Sequence, residues 1–290
     1  MSRWAFSLLG SASLVRSGHG TVNVPASCWP VIGLLLTCPG HRASRGIVAG
    51  TLWPEQNEEA ARHCLATTLW RFKGTLGKSS GPISSMGDSL SLDDGIWADV
   101  LAFRKRTQGI ESTSHVALAT TRQRLRVALR LYRGDYLYGY EAEWLALERE
   151  RLRCLYLDTL YALARAETAA NDWASVVTIA RLLCAAEPLR EDAHRMLMEG
   201  YARSGNRALA LKQFRLCADV LQRELQVDPM PETVELERKL AGRNALPVTE
   251  HVIDANRMRN ALVILRRSIG QVMDMVDDAL GEGTKPGGKP

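Results

Sequence analysis

EPLREDAHRMLMEGYARSGNRALALKQF (187–214) is the stretch from which the fold can be read. Glu187–Pro188 ends one helix, Gly205–Asn206 separates the next two, and Leu197, Tyr201, Gly205, Ala210 and Phe214 supply large, aromatic, turn, small and aromatic residues in that order. Shifting the chain by 34 residues places Leu163 on Leu197, Asn171 on Gly205, Ala174 on Ala208, Val177 on Leu211 and Ala180 on Phe214. Small residues at such positions let two helices approach, and aromatics fill the gap to the next pair.

A 34-residue period with a turn midway is the spacing of tetratricopeptide helix pairs. Working outward, the pattern predicts helices over about 141–152, 155–170, 173–186, 190–204 and 207–225. Asn171–Asp172 and Asp228–Pro229 supply further stops. Two repeats rarely stand alone, so flanking helices near 121–132 and 231–241 are expected to cap the stack. Beyond it, Met258, Leu262, Leu265, Ile269, Val272, Val276 and Leu280 form a near-heptad stripe that either packs back on the stack or pairs with a second copy. The last ten residues, GEGTKPGGKP, are expected to be disordered.

Composition sets the outer bounds. The 290 residues are 46% hydrophobic and 24% charged, which excludes a wholly disordered or collagen-like chain. Lys+Arg 37 against Asp+Glu 32 gives +5, which permits a polyanionic partner. Six cysteines without a secretory pattern suggest reduced thiols in the cytoplasm. The longest apolar run, Val31–Leu36, is far shorter than the ~20 residues that span a bilayer, so no membrane partner is expected.

The N-terminal region alternates short strands and helices. Residues 5–9 and 21–24 predict strands, and 29–37 predicts a buried helix. Ser44 can cap a second helix running to Leu52, and Asn57 a third with Glu58 and Glu59 in its first turn. In that third helix Ala61, Leu65, Leu69, Phe72 and Leu76 form one apolar stripe, while the other faces carry Arg62, His63, Thr67, Trp70, Arg71 and Lys73. Between Ala60 and Lys78 stand four Lys/Arg and no acid, +4 − 0 = +4. An acid-free basic helix suits a DNA major groove, where Arg and Lys meet phosphates and guanine edges. Residues 82–85 and 90–92 flank a Met-Gly-Asp-Ser turn, a hairpin that can serve as a wing. Strands, three helices and a hairpin describe a winged helix-turn-helix, although a solvated basic face on a small α/β domain shows the same pattern.

Several stretches resemble a known family. RGDYL (133–137), Trp144, ERERLRCLYLDTLYALA (148–164), residues 187–214 and LQRELQVDPMPETVEL (221–236) resemble the bacterial transcriptional activator domain of the antibiotic regulatory protein (SARP) family. Upstream, LLG (8–10), SRGIVAGTLWP (44–54) and AARHCLATTLWRFKGTL (60–76) resemble the OmpR-like winged helix of the same family. The expected fold is therefore mainly α: a winged helix-turn-helix at 1–106, a linker at 107–115, tetratricopeptide-like activator helices at 116–242, a C-terminal helix at 243–280 and a tail at 281–290.

The resemblance implies a transcriptional regulator of the activator kind, nucleoid-associated, binding double-stranded DNA through the winged helix and contacting RNA polymerase through the repeats. Arg62, Thr67, Trp70, Arg71 and Lys73 are the candidate DNA-contacting residues. The family usually has Arg where Lys73 stands and a polar or basic residue where Trp70 stands. The hairpin SSMGDSL has no Lys or Arg and carries Asp88, so its grip on phosphate should be weak. The alternative is a protein-interaction module whose winged helix has lost DNA binding. No receiver domain precedes the winged helix, so no aspartate phosphorylation switch is expected. Cys38–His41 with His63–Cys64 offers zinc-ligand types without ligand spacing, and no metal or cofactor is expected. No phosphate loop, GxSxG elbow or HExxH is present, so an enzyme is not expected. Cys184 and Cys217 read as packing residues, and Glu148–Arg151 as an ion-paired solvated face.

Overall fold

The computed structural model describes residues 4–76, 81–110 and 119–242. The C-terminal stripe of 258–280, the tail and most of the expected linker lie outside the described residues. The chain opens with a meander of β1 (Trp4–Ser7), β2 (Ser13–Arg16) and β3 (Gly20–Val22). In β1, Trp4 and Phe6 are buried while Ala5 and Ser7 are half-buried, the period-2 alternation of a strand with one face on a core. Next come α1 (Trp29–Thr37), a short strand β4 (Arg42–Ser44), α2 (Arg45–Leu52) and α3 (Glu58–Leu76). The hairpin β5 (Ile83–Met86) and β6 (Ser89–Leu92) joins β4 in a three-stranded sheet ordered β4-β6-β5. Finally β7 (Ile96–Ala98) returns to pair parallel with β1, giving the order β3-β2-β1-β7.

The apolar run Val31–Leu36 is wholly buried, in one cluster with Phe6 and Leu14 of this sheet and Leu90 and Leu92 of β6, which accounts for its lack of polar residues. Strands β2, β4 and β7 have no counterpart in the sequence reading. They are three or four residues long, too short for a period-2 signal to stand out.

After β7 the chain becomes helical: α4 (Asp99–Thr107), α5 (Ala119–Leu131), α6 (Glu143–Ala169), α7 (Trp173–Ala186), α8 (Glu191–Arg203), α9 (Arg207–Leu225) and α10 (Pro231–Ala241). The helices expected at 141–152 and 155–170 are one helix, α6. Residues 152–155 (LRCL) contain no Gly, Pro or capping side chain, so nothing interrupts the hydrogen-bond ladder. Asp99–Thr107, to which the sequence reading assigns no element, forms α4.

The repeat is visible atom by atom. Asn171 and Gly205, which the 34-residue shift superposes, both adopt left-handed backbone, with φ of 55° and 80°. The amide of Asp172 donates to the Glu167 carbonyl at 3.0 Å, and that of Asn206 to the Tyr201 carbonyl at 2.8 Å, again 34 residues apart. Leu183 and Cys217 correspond in the same way, and both are fully buried. At Gly200 an added Cβ would stand 2.9 Å from Val177 Cγ2, so the absence of a side chain sets how closely α7 and α8 pack. Two apolar clusters hold the stack, one around Leu160, Leu163 and Leu183, the other around Leu197, Met198 and Leu240 of α10. The fold is thus a winged helix followed by tetratricopeptide-like helices, as the sequence implies.

Candidate nucleic-acid interface

The helix-turn-helix is α2 and α3. Ser44 begins α2, its Oγ accepting from the Ile47 amide at 3.2 Å, and Asn57 Oδ1 accepts from the Ala60 amide at 2.9 Å to begin α3. Both are the caps the sequence predicts. Glu58 and Glu59 then place negative charge on the positive end of the helix dipole. Ala61, Leu65, Thr68, Leu69, Phe72 and Leu76 are buried, fixing which side of α3 faces the core.

At about 100° per residue, Trp70 and His63 fall near the outward pole of α3, Lys73 and Arg62 on one flank and Arg71 on the other. Trp70 is 75% exposed, an unusual state for the largest side chain. Arg71 and Lys73 are exposed, and among the described residues neither forms an ion pair. Thr67 is half-buried. Arg62 differs from the others: its Nε donates to Glu58 Oε1 at 3.0 Å and its Nη1 to Asp88 Oδ1 at 3.2 Å, which raises its already high pKa, the Glu58 hydrogen bond contributing most.

The hairpin reaches α2 as well. The Arg45 guanidinium donates to Ser85 Oγ at 2.8 Å, and the Arg45 amide to the Asp88 carbonyl at 2.7 Å. The turn passes through Gly87 at φ 57°. At the tip Met86 is 85% exposed. Arg45, Ser85 and Asp88 are not among the sequence-predicted site residues. The Arg62–Asp88 contact joins residues 26 apart, beyond any helical or strand periodicity.

A second set of polar contacts ties this unit to the helices behind it. Asp99, fully buried at the start of α4, accepts from the Leu8 and Leu9 amides at 2.9 and 3.0 Å and from the Val100 amide at 2.8 Å. Burial raises its carboxyl pKa, while these three donors pull it back. The loop 133–140 inserts beside it: the Leu137 amide donates to the Leu8 carbonyl at 2.8 Å, and Tyr136 Oη to the Gly33 carbonyl at 2.9 Å. Glu148–Arg151 is therefore not a solvated face throughout. Glu148 is buried against Arg104, and Arg149 donates to the carbonyls of Tyr136, Leu137 and Tyr140 at 2.7–2.8 Å. The alternating charges of ERER give no sign of which members turn inward. Cys217 is buried and Cys184 half-buried against both repeat clusters. Among the described residues no group of three or more His, Cys, Asp or Glu is placed to hold a metal ion, and no helix is long and apolar enough to cross a membrane.

Comparison with known proteins fits this architecture. Residues 98–241 match the bacterial transcriptional activator domain. The chain is 28% identical over 240 residues to the regulatory protein AfsR of Streptomyces coelicolor and 25% identical over 235 residues to that of Streptomyces griseus. Each alignment covers 81% of this chain and 24% of the relative, so the chain spans about a quarter of the length of these proteins. Among solved structures, Mycobacterium tuberculosis EmbR, in complex with a low-affinity phosphopeptide, has the same fold. Its TM-score is 0.69 at 20% identity, over 85% of this chain and 67% of that one. With an activator domain joined to a winged helix, the chain is similar to the antibiotic regulatory protein (SARP) type of bacterial transcriptional regulators.

Proposed function

We propose that the chain binds promoter DNA through α3 and the adjoining hairpin, and contacts RNA polymerase or another protein through the helical repeats. The observation that carries the reading is the outward half of α3. Arg71 and Lys73, without an ion pair among the described residues, stand on opposite flanks of Trp70, and from Ala60 to the last described turn of the helix there is no acid. Such a helix presents an apolar or hydrogen-bonding pole to base edges and cations to both phosphate rows. Trp70 suits contact with a thymine methyl or a sugar, and Thr67 beside it suits a base edge or a phosphate. The kinship with transcriptional regulators supports the same reading.

Selection of promoter fragments by the purified full chain tests binding and yields the site. On the selected fragment, Arg71→Ala is expected to cost about 1–3 kcal/mol if Arg71 meets a base, measured by gel shift. Unaltered affinity would remove Arg71 from the interface.

A second reading, an interaction module without DNA binding, is favoured by the exposure of Ile47, Trp70 and Met86 on this unit. Salt separates the two, because phosphate neutralisation makes affinity fall steeply with ionic strength. Absence of duplex binding at low salt favours the second reading.

A further inference from the structure

The hairpin of β5 and β6 is held at its tip, Ser85–Asp88, from two elements at once. Arg45 of α2 engages it through its amide and its guanidinium, and Arg62 of α3 engages it through Asp88. The Arg62 guanidinium also lies over α2, since a Cβ added to Gly46 would come within 3.2 Å of its Nη2. Arg62 is thus bracketed by the Glu58 and Asp88 carboxylates, and a phosphate would have to displace them. Around it, Glu58, Glu59 and Asp88 against Arg62 and Arg45 sum to +2 − 3 = −1, whereas Arg71 and Lys73 further along α3 contribute +2. Eight residues, about 12 Å of helix, separate Arg62 from Trp70.

We propose that Arg62 is a positioning residue. It fastens the hairpin turn to the reading helix, so that both meet the duplex as one preformed surface, and direct phosphate neutralisation falls to Arg71 and Lys73. The inference rests on the DNA-binding reading above and says how its surface is built. A surface ordered before binding loses less conformational freedom on association. Because this hairpin carries no Lys or Arg, its placement is what it can contribute. The fastening sets the position of Met86, whose apolar side chain is of a kind that packs in a minor groove.

Two measurements on the full-length protein decide it. Amide hydrogen exchange reports the fastening without DNA. In Arg62→Gln the Arg45 amide, bonded to the Asp88 carbonyl, should exchange faster while Leu65 and Leu69 in the core keep their protection. Arg62→Lys, which retains an ion pair to Asp88, should restore Arg45 protection. Titration of the selected fragment across salt concentrations reports the consequence. Arg62→Gln should lower affinity about two- to five-fold, the range of an exposed ion pair, with an unchanged salt slope. Arg71→Gln should reduce the slope by about one. An Arg62→Gln slope lowered by about one makes Arg62 a phosphate ligand and overturns the assignment, as does unchanged Arg45 exchange or unchanged affinity. If the unaltered protein binds no duplex at low salt, the proposed function fails first, and Arg62 has no DNA-reading role left to serve.

Discussion

Leu137 occupies a backbone state that L-residues avoid. Its φ is 50°, a conformation costing a non-glycine residue about 1–2 kcal/mol, yet the side chain is fully buried. The surroundings over-determine it: its amide donates to Leu8, its carbonyl accepts from Arg149, and its Cδ1 lies against α1 where Gly33 leaves room. An alanine at Gly33 would bring its Cβ to 2.5 Å from that carbon. Arg149 is the keystone among the polar partners, because its planar fork serves three carbonyls at once. Replacing it with alanine should destabilise the protein by about 2–4 kcal/mol, and lysine should recover little of that, as chemical denaturation will show. The quoted RGDYL motif marks this loop in the sequence, but not its destination. Contacts between residues over a hundred positions apart leave no periodic trace, and the left-handed φ falls on a leucine where one expects glycine.

Among elements, α5 is joined to the repeat stack by charge. Arg122 and Arg126 both meet Glu167 of α6, fully buried, and Asp172 at the start of α7. Removing Glu167 leaves two arginines to the single carboxylate of Asp172, so Glu167→Ala should cost about 3–5 kcal/mol in thermal or denaturant unfolding. In α8, His194 links the loop before it to α9: Nε2 must donate to the Pro188 carbonyl, so Nδ1 accepts from Gln213 Nε2. Burial lowers its pKa below the ordinary value of 6.5, against raising contributions from its hydrogen bond to the Pro188 carbonyl and from Glu191. The folded protein then binds fewer protons than the unfolded chain between the two pKa values. Stability is therefore complete above about pH 6.5 and falls as the pH drops toward the folded value. Thermal unfolding at pH 7.5 and 5.5 should show a lower midpoint in acid, with the difference reduced in His194→Gln. The helices of the repeat stack were legible because a 3.6-residue apolar period runs through them; the reading erred where it introduced a break into α6 and where it assigned no element to the nine residues of α4. The three strands it missed offer too few residues for any period to register.

At the scale of the whole described chain, the winged helix and the first activator helices share one hydrophobic core. Trp4, Phe6, Leu8 and Ile32 pack in the same cluster as Tyr136, Leu137, Leu145 and Leu152. Phe103, Tyr132 and Tyr156 continue it as a run of rings, the last two stacked at 4.4 Å. Cooperative unfolding follows from a common core. Calorimetry should give a single transition for this region, and a 1–106 fragment, deprived of Asp99's neighbours in loop 133–140 and of the helices behind it, should fail to give the dispersed amide spectrum of a folded protein. Two separate transitions would show that the core is divisible. For an engineer grafting one regulator's winged helix, its head, onto another's body, the polar stretch at 107–115 looks like the seam, yet a cut there takes the Leu137 amide from the Leu8 carbonyl and the Tyr136 hydroxyl from the Gly33 carbonyl. The transferable part is discontinuous: whoever moves the head must carry loop 133–140 and its arginine clasp along with it.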